Sequence, residues 1–461
     1  MSEADLIIIG AGPAGMAAAA TAARGGLRVL VLEEQPNSGG QIYRNVSENQ
    51  NDKPWLGKDY RAGARYVDGL NHPGVKIEFG ATVWRLEAGA RVVWSQNGKS
   101  QISSAPHVLI ATGAQERPVP FPGWTLPGVM PAGGAQILMK TSGLVPQDAV
   151  LAGSGPLLYL IAAQMIDAGT PPKALVETQT AGMLWRALPH LPKAAKGIRT
   201  LAKGLGLLAK ISAAGIPRFT GTSEFTAKAK QGGNLQFSFF HKGKVKHLSC
   251  SLLLTHQGVI AASHLSQSAG IEQEWNVAQS AWQPVVDLWG QTNIQGLHIA
   301  GDGAGIGGAE AAAAAGELAA LNILHLTGGL SIDMRNKQAS QPRKAQQRAL
   351  AVRPFLDAVY APSAEVFTPA DETLICRCEE ISAAQVRSYV SQGATGLRQI
   401  KTALRVGMGP CQGRMCETTV QGLLAEHGKS ADNKSAPPRI RSPLKPVSLA
   451  ELAELAPNHE H

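Results

Sequence analysis

The chain repeats one pattern: a short run of apolar residues, a glycine turn, then an alanine- or leucine-rich stretch. Leu6–Ile9 is the first run, followed by Gly10-Ala11-Gly12-Pro13-Ala14-Gly15 and an Ala-rich stretch to Ala23. A run that is apolar on both faces predicts a strand buried in a parallel sheet, and the stretch after it a tightly packed helix. Leu27–Leu32 predicts the second strand, ending in Glu33-Glu34. Residues 148–177 repeat the unit, with a strand at Ala149–Ala152, the turn Gly153-Ser154-Gly155-Pro156-Leu157-Leu158, a helix, and a strand at Ala174–Glu177. Two further runs, HVLIATG (107–113) and IQGLHIAGD (294–302), close on Thr112-Gly113 and Gly301-Asp302, with an Ala-rich helix expected from about Gly308. Residues 218–260 alternate apolar with polar and predict an antiparallel meander.

A first unit resumed after a second implies an inserted domain. The expected fold is α/β, with two Rossmann-like dinucleotide-binding domains, one within the other: 1–114 plus 285–330 enclosing 115–284. Residues 331–370 turn to Gln, Ser, Arg and Pro and predict a linker with one helix at about 343–359. A small cysteine-bearing domain follows at 371–428, then a tail at 429–461. The tail begins polar and ends in a short Leu/Ala helix; its Pro-rich stretch, Pro437 to Pro446, is expected to dock on a partner chain.

Composition agrees with a packed globular protein. The 461 residues suggest about three domains, and 44% are hydrophobic. Only 17% are charged, which suggests close helix–sheet packing and buried cofactor or subunit surfaces. No apolar run is long enough to span a bilayer, and Met1–Asp5 lacks the basic start of a signal peptide, so a cytoplasmic protein is expected. Net charge is +9, but residues 181–250 hold twelve Lys/Arg against one acid, Glu224. A local basic patch therefore replaces any nucleic-acid reading. Its segment 183–211 has apolar residues at helical spacing and is expected as a helical hairpin on the inserted domain. Contact with a partner, or with the inner face of a membrane near a quinone, is left open.

The first glycine turn has the chemistry of a dinucleotide site. Gly10 allows the tight turn, Gly12 lets a pyrophosphate approach the backbone, and Gly15 lets helix and strand pack closely. The helix start supplies free N–H groups, and Glu33 stands where an acid accepts ribose hydroxyls. Thr112-Gly113 and Gly301-Asp302 suit a long, extended ligand, and Asp302 can bind a ribityl hydroxyl or cap a helix. In this order, GxGxxG, ATG and IAGD resemble the flavoproteins with two dinucleotide-binding domains, which hold FAD in the first and NAD(P)H in the inserted one. The second turn departs from that pattern, because Leu158 stands where the third glycine belongs and should push the helix from the strand or block a phosphate. Gly153, Gly155 and Glu177 are candidates for NADH or another adenine nucleotide, and an empty domain is the third reading. A disulfide-reductase mechanism is excluded, since only Cys250 lies within the first 330 residues, where a buried core thiol is expected.

Cys376-Arg-Cys378 and Cys411-Gln-Gly-Arg-Met-Cys416 offer four thiolates in two loops, which suits a [2Fe–2S] cluster or structural zinc. Gly407, Gly409 and Gly413 should aim backbone N–H groups at the second sulfur pair. Arg377, Arg405 and Arg414 could offset the cluster's charge, though an ordinary surface is the simpler reading. The stretch from Leu374 to Cys416 resembles the [2Fe–2S] domain of bacterioferritin-associated ferredoxin, in the longer-spaced form fused to flavoprotein amine dehydrogenases. That resemblance implies Cys376, Cys378, Cys411 and Cys416 as cluster ligands.

The whole order, with GGQIYR (Gly39–Arg44) and ATGAQERPVPFPGWTLPGV (Ala111–Val129), resembles the alpha (A) subunits of opine oxidase, D-hydroxyproline or proline dehydrogenase and hydrogen cyanide synthase. The resemblance adds Ala14, Glu34, Gly40 and Gln41 to the FAD residues. It implies a partner beta flavoprotein of the glycine/D-amino-acid oxidase type, and a further candidate partner in a small ferredoxin-like gamma subunit. Electrons would pass through this chain to a quinone or other acceptor. No acid–base residue is named. His107, His256 and His298 lie in or beside apolar strands and are expected to be satisfied core histidines. A stand-alone NADH-dependent reductase and a zinc-stapled scaffold are the competing readings.

Overall fold

The computed structural model describes residues 4–49, 52–87, 89–426, 437 and 439–455. Leu6–Ile9 is the middle strand of a five-stranded parallel sheet, between Val29–Glu33 and His107–Ile110, with Val75–Phe79 and Leu297–Ile299 at the edges. All four of its side chains are buried, alternately on two faces. Leu6 and Ile8 meet the alanines of helices Pro13–Arg24 and Ala309–Leu326. Ile7 and Ile9 face the other way, towards Leu86, Val92 and Trp94 of a three-stranded antiparallel sheet, Thr82–Ser104. The two helices pack so closely that a Cβ on Gly316 would lie 2.0 Å from the Ala14 carbonyl oxygen.

The inserted domain has its own five-stranded parallel sheet, in the order Arg218–Thr220, Ala174–Glu177, Ala149–Ser154, Leu252–Gln257, Val129–Pro131. The expected meander is present as Ser223–Ala229, Leu235–His241 and Lys244–Cys250. Its expected flanks belong instead to the parallel sheet, because their side chains are wanted on both faces there. The two domains are joined by the short antiparallel pair Ala114–Glu116 and Val259–Ala261. Helices Ala181–Ala187 and Ile198–Ala213 lie in the basic segment, held to the body by Ala187, Ala194 and Ile211. Trp185, in the first of them, is 72% exposed. No helix among the described residues is long and apolar enough to cross a membrane.

Two expectations are corrected. The supposed linker holds two helices, Ile332–Leu350 and Arg353–Val359, not one. The first packs on Ala309–Leu326 through Ala339, and Arg335 and Arg343 lay their guanidinium groups 4.1 and 4.2 Å from the Trp289 ring centre. Cation–π stacking and a Ser331 cap replace the apolar stripe that would have announced it. Pro342 sits inside this helix and leaves one ladder bond unmade.

The second concerns what the tail rests on: its described part packs on the chain's own first domain. Ile440 and Leu444 are buried in the core beneath the antiparallel sheet. The Leu444 N–H donates to the Trp84 carbonyl at 2.9 Å, and Lys445 pairs with Glu34 at 2.8 Å. The helix Leu449–Ala453 closes the strap, where Glu454 accepts the Ser100 N–H at 2.7 Å. Leu444→Ala should cost about 2–4 kcal/mol by emptying a buried site. Limited proteolysis should then release the tail before the domains unfold; unchanged resistance would show that the strap is held elsewhere.

Candidate functional site

The glycine turn Gly10–Gly15 is the meeting point of the expected cofactor residues. Gly10 has φ of +104°, and a Cβ on Gly15 would lie 1.9 Å from the Gly10 oxygen, so neither position admits a side chain. The loop Gly39–Arg44 is tied to the turn by the Gly39 N–H, which donates to the Ala11 carbonyl at 2.8 Å. Ala111, just before Thr112-Gly113, continues the strand pairing with Ile9 at 2.9 Å. Gly301 lies against Ala14, and Gly303 against Gly113. Four separated segments thus converge on one helix start.

The acids are arranged for polar ligands. Glu33 is buried, and its carboxylate accepts the N–H groups of Ala11 (2.6 Å) and Gln35 (2.8 Å). Burial raises its pKa against those two donors. Glu34 points away to Lys445 and contributes to the strap, so only Glu33 faces the turn. Asp302 accepts the N–H groups of Gly307 and Gly308 through Oδ1, both at 2.9 Å. It therefore holds the turn Gly307-Gly308 that leads into helix Ala309–Leu326. The arrangement fits FAD: a glycine cradle, an acid at the ribose position, and a second acid just after the edge strand Leu297–Ile299.

Sequence reasoning missed two supports of this site. Arg44 donates through Nε to the Gly40 carbonyl at 3.0 Å and also to Gln35. Lys140 reaches from the inserted domain to the Gln41 carbonyl at 2.9 Å, and burial, with the Arg44 charge, lowers its pKa to about 7. Arg44 was visible in GGQIYR; nothing local marks Lys140, whose helix, Ala132–Ser142, belongs to the other domain.

The second glycine turn differs in its acid. Glu177 is fully buried, and Arg218 binds both its oxygens, Nε at 2.8 Å and Nη2 at 3.0 Å. The Tyr159 hydroxyl and the Gln179 amide also donate to Oε1. Leu158 points into the apolar core with Met139, Leu151 and Met165, so the helix accommodates it there. The Glu177 carboxylate is thereby committed within the protein.

The three expected core histidines are paired, but the buried His298 Nδ1 is left without a partner among the described residues. His107 Nδ1 and His298 Nε2 are 3.1 Å apart, and burial lowers both pKa values, His298 to about 4. His256 Nδ1 lies 2.5 Å from Glu116 Oε1. Cys250 is a core thiol among Leu235, Phe237 and Phe239, and burial raises it to about 11.

The small domain is built on strands Leu374–Cys376 and Ile381–Ser382 and helices Ala383–Ser391, Leu397–Leu404 and Glu417–Glu426. It carries the four cysteines on the segments Cys376–Cys378 and Cys411–Cys416, with Cys376 beside Cys416 and Cys378 beside Cys411. The bond from Cys416, then the N–H groups of Gly407, Glu379 and Cys378, lower Cys376 to about 6 despite burial. The Gly407 donor thus serves the first sulfur pair, not the second. A Cβ on Gly409 would lie 3.1 Å from the Cys378 sulfur, so the loop is moulded to the thiols. Among the described residues no three ligating groups form a ready-made site for a single metal ion. Of the three arginines, Arg405 pairs with Glu379 (2.9 Å) and Arg377 stacks on Trp124 (5.5 Å); only Arg414 is drawn into the loop, donating to the Cys411 carbonyl at 3.2 Å.

Several hydrogen bonds join this domain to the rest. Trp124 Nε1 donates to the Leu374 carbonyl at 2.6 Å. Gln115 Nε2 donates to the Arg414 carbonyl at 3.3 Å, and His264 Nε2 lies 3.1 Å from the Gln412 carbonyl. His264 is buried; burial, Arg414 and Lys401 push its pKa down to about 3, so the ring is neutral, with its proton on Nε2 for this bond.

Comparison with known proteins agrees with both centres. The family model of pyridine nucleotide-disulphide oxidoreductases matches residues 4–319, and that of the BFD-like [2Fe-2S] binding domain matches 374–426. The opine oxidase A chain of Agrobacterium tumefaciens (strain Ach5) is 41% identical, over 98% of this chain and 92% of its own. The hydrogen cyanide synthase component HcnB of Pseudomonas protegens is 31% identical, over 96% of each. The crystal structure of L-proline dehydrogenase from P. horikoshii shares the fold, with a TM-score of 0.71 at 19% identity, over 98% of this chain and 79% of that one. The cofactors are FAD and a [2Fe–2S] cluster, and the relatives are subunits of multi-subunit oxidoreductases.

Cys411→Ser should lose the cluster and keep FAD. Iron analysis and the visible spectrum check this, and full iron content in the variant would refute the role of Cys411.

Proposed function

Because the chain belongs to the pyridine nucleotide-disulphide oxidoreductase family and, over nearly its whole length, to the group that includes the opine oxidase A chains, we propose that it is the electron-transfer subunit of a heteromeric amine or amino-acid dehydrogenase. Its electrons come from a partner flavoprotein that oxidises a carbon bearing nitrogen, a chemistry in keeping with relatives named for opine oxidation and a neighbour named for proline dehydrogenation. They leave to a quinone or another carrier.

In this reading Gly10, Gly12, Ala14, Gly15, Glu33, Gly40, Gln41, Thr112, Gly113, Gly301 and Asp302 hold FAD. Cys376, Cys378, Cys411 and Cys416 hold the cluster. FAD supplies two-electron acceptance with one-electron release, and the cluster one-electron carriage. The protein's share is placement. Glu33 holds the turn through the Ala11 N–H, Lys140 and Arg44 fix the Gly39–Arg44 loop from two sides, and Asp302 is held rigid by two backbone donors.

The observation that carries the reading is the Glu177–Arg218 pair. A buried acid bound through both oxygens by a guanidinium is not open to the ribose hydroxyls of a nicotinamide nucleotide. The pair favours entry of electrons from a partner over entry from NADH. The test is the visible spectrum of the holoprotein without oxygen. NADH should leave flavin and cluster bands unchanged, whereas the complex with its partner should bleach both on adding the amine. Prompt bleaching by NADH would favour the self-sufficient reductase instead.

A further inference from the structure

The cysteine loop is docked on the same stretch of chain that ends at the flavin side. Thr112 and Gly113 are bonded to Ala262: the Ala262 N–H donates to the Gly113 carbonyl at 3.0 Å, and the Thr112 hydroxyl to the Ala262 carbonyl at 3.3 Å. The next residues on each side, Ala114–Glu116 and Val259–Ala261, form the antiparallel pair that joins the domains. From this one unit two side chains reach out. Gln115 takes the Arg414 carbonyl, and His264, two residues beyond Ala262, takes the Gln412 carbonyl. Both acceptors lie inside the Cys411–Cys416 loop. Arg414 in turn donates to the carbonyls of Cys411 (3.2 Å) and of Leu444 in the strap (3.3 Å), so the loop is held from three sides.

We propose that electrons pass between FAD and the cluster within this chain across this contact, with His264 as the positioning residue that holds the Gln412 carbonyl, and through it Cys411, against the Gly113–Ala262 unit. The route from Gly113 to Cys411 then needs two hydrogen bonds and short lengths of backbone, with no gap. Tunnelling falls off more steeply through empty space than through bonded and packed atoms, so a contact fixed at hydrogen-bond distance favours this route over others. Each passage moves one electron from the reduced centre to the oxidised one. No bond breaks, and His264 neither gains nor loses a proton. A hydrogen bond that orients a ligand loop from outside the ligand set can still tune how that loop holds its metal.

This inference rests on the reading of the chain as a carrier of both cofactors, and the experiment separates the two. The holoprotein, with FAD and cluster bound, is flash-reduced at the flavin, and bleaching of the cluster band is followed in time. His264→Leu, of similar bulk but without a donor, should keep FAD and iron and slow the transfer about 10-fold or more. His264→Gln, whose amide can place an N–H near Nε2, should restore most of the rate. A His264→Leu protein with full cofactors and wild-type transfer would overturn the proposal, as would a His264→Gln protein as slow as the leucine variant. Should His264→Leu lose its iron, Gln115→Leu decides: slower transfer with full cofactors supports the dock, and an unchanged rate overturns it. A wild-type protein lacking the flavin or the cluster band would sink the underlying reading instead.

Discussion

The molecule depends on the absence of side chains where helix Pro13–Arg24 meets its neighbours. At Gly15 the helix touches the turn it grew from, and at Gly316 it touches helix Ala309–Leu326, each with no room for a single carbon. Alanine fills most of what surrounds these contacts, so two helices and a sheet interlock at backbone range. Only because they do can Asp302, at the foot of one helix, stand level with the open N–H groups of the other. A bulkier interface would keep the fold and part the two halves of the nucleotide site. The low charge content of the chain follows from the same constraint, since charged side chains have no place in such a seam.

The two dinucleotide-type domains make the point by contrast. Both have a strand, a glycine turn, a helix and an acid ending the second strand. Glu33 turns its two carboxylate oxygens to backbone donors, the N–H groups of Ala11 and Gln35. Glu177 meets Arg218, forty-one residues away on the neighbouring strand, and Tyr159 from the helix above. Similar local patterns therefore end with different partners for the acid, and what decides is a residue supplied by a different strand.

This marks how far the sequence could be read. Apolar runs and glycine turns are local, and they placed both parallel sheets, the inserted domain and the cofactor cradle. Cysteine spacing is local too, and it picked out the four thiols that the fold brings together. What escaped was set by partners distant in the chain. Helix Ile332–Leu350 is steadied by arginines stacked on Trp289 and has almost no apolar stripe. The tail's Leu444 looks like any isolated leucine until Trp84 is beneath it. Glu34 looked like an FAD residue until Lys445 was beside it. Lys140 and His264 carry no motif, and their importance lies in reaching another domain.

The strap has a bearing on how the protein comes into being. Residues 439–445 lie beyond the cysteine domain in the chain, yet they complete the core under the sheet that begins at Leu6. A growing chain folds its early domains first. Here the domain begun first is also among the last finished, because its missing layer is made only after the iron-binding segment has been synthesised. Nascent chains would therefore present a flavin domain open along one face for most of translation. The step that closes that face also presses Leu444 against Arg414 and the cysteine loop, so sealing of the flavin domain and seating of the cluster domain coincide in time.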